Sequence, residues 1–216
     1  MLKQKMKKYL FILYLLCIVL LISACKNYLP APSGLIATSV SPYNVELKWN
    51  AVPGAKCYSL HRSTKQGEFV HYGQTVNCKC MTYCNDTKVG PGMTYFYTVK
   101  TLKSAEDYVK GLIPEKWPVS DEVTVITPVP TPTNLTARAI SSSQIVLNWN
   151  TVPKIQAYQI LMSRSSGKEK PLTSWIENSY TVTNLAFDTN YYFTIRAWGP
   201  QHKSDFSNEA KAKTLS

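Results

Sequence analysis

Six cysteines and three histidines hold most of the reactive chemistry in this chain of 216 residues. Cys57, Cys78, Cys80 and Cys84 lie close together, and Cys57 with the C-x-C-x3-C run would offer a metal four thiolates. That spacing is not a standard zinc pattern. An export-type leader precedes these thiols, and an even number beyond such a leader predicts disulfides, with free thiols as the remaining alternative. Cys57 precedes Tyr58, expected to face the core, so its own side chain is expected to point outward. Cys78 and Cys80 share a face if their stretch is extended. A bridge from Cys57 to Cys78 or Cys80 is the favoured pairing, since Cys78 to Cys80 would be strained. His61, His71 and His202 lie in no G-x-S-x-G, H-E-x-x-H or P-loop pattern, and His61 and His71 read as surface imidazoles. Asp86 and Asp107 read as solitary loop carboxylates, and Ser104-x-x-Asp107 as a capping box. No nucleophile and base can be assembled, so the expectation is a non-enzyme with no cofactor, no metal and no small-molecule substrate.

The remaining cysteines belong to an address. Residues 1–24 open with Lys3, Lys5, Lys7 and Lys8, followed by an apolar run from Leu10 to Ile22 interrupted only by the Tyr14 hydroxyl. As a helix that run spans about 20 Å, short of a hydrocarbon core of roughly 30 Å, so it reads as a signal peptide. Ile22-Ser23-Ala24-Cys25 resembles the lipobox of bacterial lipoproteins. The resemblance implies cleavage before Cys25, lipid on its sulfur, and a short tether over residues 25–29. Lys26, where an Asp often retains such proteins at the inner membrane, favours the outer membrane or cell surface.

Two elements must position everything else, because the chain repeats itself. "VELKWNAVPGAKCY" from Val45 to Tyr58 returns as "IVLNWNTVPKIQAY" from Ile145 to Tyr158. A period near 100 residues is a duplicated domain, not a solenoid. Val45, Leu47 and Trp49 alternate with polar residues, as do Ile145, Leu147 and Trp149, which is the period of a half-buried strand. Tyr95, Tyr97 and Val99 share one face of a later strand, matched by Tyr191, Phe193 and Ile195. Tyr95 and Tyr191, each just after a turn, resemble a tyrosine corner whose phenol reaches back to a backbone carbonyl. The Trp, the Tyr nine residues later, the corner Tyr and the "P-x-P-x-x-L" opening together resemble the fibronectin type III domain, twice over. The resemblance implies an all-β fold of two immunoglobulin-like, seven-stranded sandwiches over 30–128 and 129–216. Pro128, Pro130 and Pro132 predict a short, semi-rigid joint. The Arg-Gly-Asp motif of one fibronectin module is absent, so integrin binding by that route does not carry over.

Binding is then expected on loops. Lys103 to Asp121, "KSAEDYVKGLIPEKWPVSD", is about nine residues longer than its counterpart in the second copy. Its Tyr108, Leu112, Ile113 and Trp117 are either an aromatic contact surface or a cap folded back on the sandwich. Ala105 to Lys110 could form one helical turn ended by Gly111. In the second copy Trp198 either stacks on a sugar ring or plugs the domain interface, and Phe206 is expected to cap the core. The formal charge of +11 is spread thinly beyond Lys8, which argues against nucleic acid and leaves an anionic polysaccharide or membrane surface open. The expected role is a lipid-anchored surface module that binds or presents a protein or glycan. The alternatives are an accessory subunit of an envelope polysaccharide-processing or secretion complex, and a structural spacer.

Overall fold

Strand residues in this chain alternate sides, and each half closes two antiparallel sheets over the apolar side. The computed structural model describes residues 29–68, 81–103 and 118–216. In the first half the strands are β1 (Ile36–Ser41), β2 (Asn44–Lys48), β3 (Cys57–Ser63), β4 (Tyr83–Asp86), β5 (Thr94–Leu102) and β6 (Val123–Ile126). They form sheets ordered β1-β2-β4 and β3-β5-β6. In the second half they are β7 (Thr136–Ala139), β8 (Ile145–Asn148), β9 (Ala157–Ser163), β10 (Lys170–Trp175), β11 (Ser179–Val182), β12 (Asn190–Trp198) and β13 (Ala210–Lys213). These form sheets ordered β11-β8-β7 and β10-β9-β12-β13. The second half is thus a seven-stranded sandwich. The first has six strands among its described residues.

Registers repeat with the sequence. Ala37 faces Leu47 across β1 and β2, and Ala137 faces Leu147 across β7 and β8. Each sandwich has its own core. Leu47, Trp49, Tyr58, Leu60, Tyr95, Tyr97 and Val99 pack in the first. Leu147, Trp149, Tyr158, Ile160, Tyr191, Phe193 and Ile195 pack in the second. Burying one such side chain contributes roughly 1.5–3 kcal/mol. Trp49 meets Tyr58 edge-on at 5.5 Å, and Trp149 meets Tyr158 at 5.2 Å. Each of these tyrosines also closes the turn behind it, accepting the N–H of Val52 (2.8 Å) or Val152 (2.7 Å) at its phenol oxygen.

Four expectations need correction. The corner tyrosines do pin the connection before β5 and β12, but as acceptors: Gly90 N–H donates to the Tyr95 phenol and Ala186 N–H to that of Tyr191, both at 2.9 Å. A backbone N–H left over at the turn finds its partner there, which a phenol aimed at a carbonyl would not supply. Asp86 is no loop residue. It ends β4 at 1% exposure, where Arg62 (2.6 Å) and the Tyr97 hydroxyl (2.9 Å) donate to its carboxylate. His61 is partly buried rather than a surface imidazole, and burial first, then the charge of Lys100, lowers its pKa to about 4. Phe206 does not cap the core; it is 48% exposed.

Candidate functional site

Of the sequence-derived candidates, Cys57, Cys84 and Trp198 are described. Cys25, Cys78, Cys80, Tyr108, Leu112, Ile113 and Trp117 lie outside the described residues, as do the leader, His71 and the proposed turn from Ala105 to Lys110. Cys57 lies off the core cluster, as alternation requires, yet it is buried, opposite Leu102 on β5. Cys84 faces inward, packs in the first core and lies opposite Leu47. The two cysteines therefore sit in different sheets, on different faces.

Two hydroxyl–imidazole pairs among the described residues have the distance of a nucleophile and its base: Ser59 Oγ and His61 Nε2 at 3.0 Å, and Thr94 Oγ1 and His202 Nε2 at 3.1 Å, the latter joining the two sandwiches. Ser59 is fully buried, and the charge acting on His61 is cationic Lys100 rather than an orienting carboxylate. A triad needs the opposite on both counts, an exposed nucleophile and an anionic third member.

The segment after β12 in the second sandwich is spent on the first sandwich. Gln201 N–H donates to Gly92 O (3.0 Å), and Thr94 N–H donates to Gln201 Oε1 (2.7 Å). His202 Nε2 lies 3.1 Å from Thr94 Oγ1. At a second point the Tyr43 hydroxyl donates to Pro153 O (3.1 Å), and the Lys154 ammonium lies 5.5 Å from the Tyr43 ring. Between them Gly92 and Gly199 approach so closely that a Cβ on Gly199 would stand 2.9 Å from Gly92 Cα.

Trp198 itself points to the outer face of the β10-β9-β12-β13 sheet, opposite Ala157. The Lys203 ammonium sits 4.2 Å from its ring centroid. Two residues back, Arg196 lies 4.8 Å from the ring of Phe206, and its Nε donates to Gln159 Oε1 (2.8 Å). Further along, Lys211 is 5.4 Å from the Tyr192 ring. Two serines fix the loop that carries Lys203 and Phe206. Ser204 N–H donates to Ala197 O (2.9 Å) while its hydroxyl accepts Ala197 N–H (2.9 Å). Ser207 makes the same clasp with Ile195, at 2.8 Å and 3.1 Å. Among its described residues the first sandwich has one such clasp, Ser120 on Val99. Sequence reasoning missed this face. Its signal was the half of β12 that alternates away from the core, where Tyr192, Arg196 and Trp198 interleave ring and charge.

Residues 130–213 match the family model of the fibronectin type III domain. A two-domain fibronectin type III segment from chicken tenascin aligns with a TM-score of 0.61 at 14% identity, covering 85% of this chain and 99% of that one. An Fn3-like protein from Clostridium thermocellum is 27% identical, covering 41% of this chain and 95% of its own, with a TM-score of 0.38. Mouse receptor-type tyrosine-protein phosphatase eta is 25% identical over 173 residues, 79% of this chain. The chain spans 12% of that relative's length. Residues 130–213 are thus a fibronectin type III domain, and the two sandwiches together have the fold of a tandem pair of such domains.

Proposed function

We propose that the chain is a non-catalytic binding or presentation module, held to a bacterial membrane by lipid on Cys25, with the outer membrane or cell surface as its address. The observation that carries this reading is the joint between the sandwiches. The Gly92–Gly199 approach and the Gln201 and Tyr43 hydrogen bonds fix one body relative to the other, as a module that presents a surface requires. The folded body also begins at once: the Thr101 hydroxyl donates to Pro30 O (2.9 Å), so only a few residues separate Cys25 from the first sandwich. Five extended residues reach at most about 18 Å, which keeps the body near the membrane. Disulfide pairing among Cys57, Cys78, Cys80 and Cys84 belongs to the same reading, because an envelope address is oxidising.

Intact mass spectrometry after growth with labelled palmitate tests both parts. The protein is expected to begin at Cys25, to carry label lost in Cys25→Ala, and to gain alkylated thiols only after reduction. Label retained in Cys25→Ala overturns the anchor, and full alkylation without reductant overturns the disulfides.

A further inference from the structure

We propose that the outer face of the β10-β9-β12-β13 sheet docks an acidic polysaccharide, a chain of carboxylate-bearing sugars laid along β12. The inference rests on reading the chain as a binding module, and it names the surface and the ligand chemistry. Outward residues on a strand recur about every 6.8 Å, so Tyr192 to Trp198 spans about 20 Å, room for several sugars in a row. Along that span rings and cations interleave: Lys211 with Tyr192, Arg196 with Phe206, Lys203 with Trp198.

The charge on this stripe is uncompensated. Arg196, Lys203 and Lys211 make no ion pair among the described residues. Lys213, at the end of the stripe, is paired with Asp188 (2.7 Å). Glu209 is turned to the β9–β10 turn, accepting from Ser166 Oγ and Gly167 N–H at 3.0 Å. Asp205 is a single exposed carboxylate on the loop, against three cations. A polyanion therefore meets a net positive line.

The rings decide which polyanion. One face of each ring already carries a protein cation, so a nucleic-acid base stacked there would have to displace it. Available without that displacement are ring edges and ammonium or guanidinium donors, which suit sugar C–H groups beside carboxylates. The Ser204 and Ser207 clasps hold Lys203 and Phe206 in place beforehand, which reduces the ordering cost of binding. The first sandwich repeats the surface only in part: Phe96 and Lys100 match Tyr192 and Arg196, but fully buried Leu102 replaces Trp198.

Isothermal titration of the full chain in neutral detergent with hexagalacturonate tests the proposal independently of the anchor. Binding is expected that weakens as salt rises, with no binding of neutral maltohexaose. Lys203→Ala and Lys211→Ala each weaken it about two- to five-fold, the worth of one exposed charge. Lys203→Glu with Lys211→Glu abolishes it, whereas Lys48→Glu on the first sandwich leaves it unchanged. Amide shifts on adding the hexamer should centre on Tyr192 to Trp198, a readout that needs no variant. No binding at millimolar hexamer overturns the proposal. So does binding that survives the double charge reversal, shifts confined to another face, or tighter binding of oligothymidylate or hexaglutamate.

Discussion

His61 carries the clearest consequence at the scale of single residues. Its imidazole is held neutral by burial and by Lys100, with a pKa of about 4. An unfolded histidine titrates near 6.5, so between those values the unfolded chain binds the additional proton. Stability is therefore complete above about pH 6.5 and falls as the pH drops towards 4, by about 2–3 kcal/mol from this group alone. Urea midpoints at pH 7.5 and pH 5 should separate more in the parent than in His61→Gln, which keeps a hydrogen-bonding group near Ser59. Equal separations in both would remove His61 as the cause. The same sheet supplies Arg62 and Tyr97 to a network closed by Asp86 of the facing sheet, in which burial first and the Asp86 charge second raise the Tyr97 phenol well above its ordinary range. Nothing in the sequence pairs Arg62 with Asp86, because they are 24 residues apart on strands of different sheets. Asp86 looked like a loop residue because its partners come from tertiary packing, which local pattern does not encode.

At the scale of elements, the strands were legible because two signals agreed. Period-2 alternation placed Val45, Leu47 and Trp49 inside, and the duplicate with Ile145, Leu147 and Trp149 made chance agreement improbable. The clasps between β12 and the loop before β13 were not legible, since Ser204 and Ser207 read as ordinary turn residues. Their hydroxyls take over two N–H acceptor roles that a neighbouring strand would fill, so the chain leaves the ladder without orphaning Ile195 and Ala197. Ser204→Ala should leave the buried Ala197 N–H unpaired, at a cost of about 1–3 kcal/mol. Ser204→Thr retains the hydroxyl and should restore most of the loss. Denaturant midpoints give the cost, and faster hydrogen exchange at Ala197 gives its location. An Ala variant as stable as the parent, with unchanged exchange, would mean the backbone bond from Ser204 N–H suffices by itself.

The joint decides what the whole molecule is. Proline spacing suggested a stiff connection, but contact does more than the linker. Thr127 ties back to the corner before β5, its hydroxyl donating to Gly90 O (2.6 Å) and its N–H to Met93 O (2.9 Å). Thr214 repeats the hydroxyl bond in the second sandwich, donating to Ala186 O (2.7 Å). The corner residues Gly92 (φ 65°) and Asp188 (φ 50°) both adopt the left-handed conformation, so backbone angle alone does not demand glycine at 92. Close approach does: a Cβ there would meet Val129 Cγ2 at 2.5 Å and Gly199 Cα at 3.0 Å. Gly199 is the cleaner probe, because its φ lies outside the left-handed region and its nearest obstacles are Gly92 Cα (2.9 Å) and Pro91 O (3.1 Å) of the other sandwich, with Val129 Cγ2 at 3.0 Å. Backbone atoms cannot rotate aside, so Gly199→Ala must part the sandwiches and stretch the Gln201–Gly92 bond. Val129 is the one core side chain among these obstacles, and each sandwich should stay folded. Residual dipolar couplings from both sandwiches should fit one alignment tensor in the parent and require two in Gly199→Ala, with circular dichroism unchanged. A single shared tensor in the variant would mean that the two bodies are held by the proline linker rather than by the glycine contact.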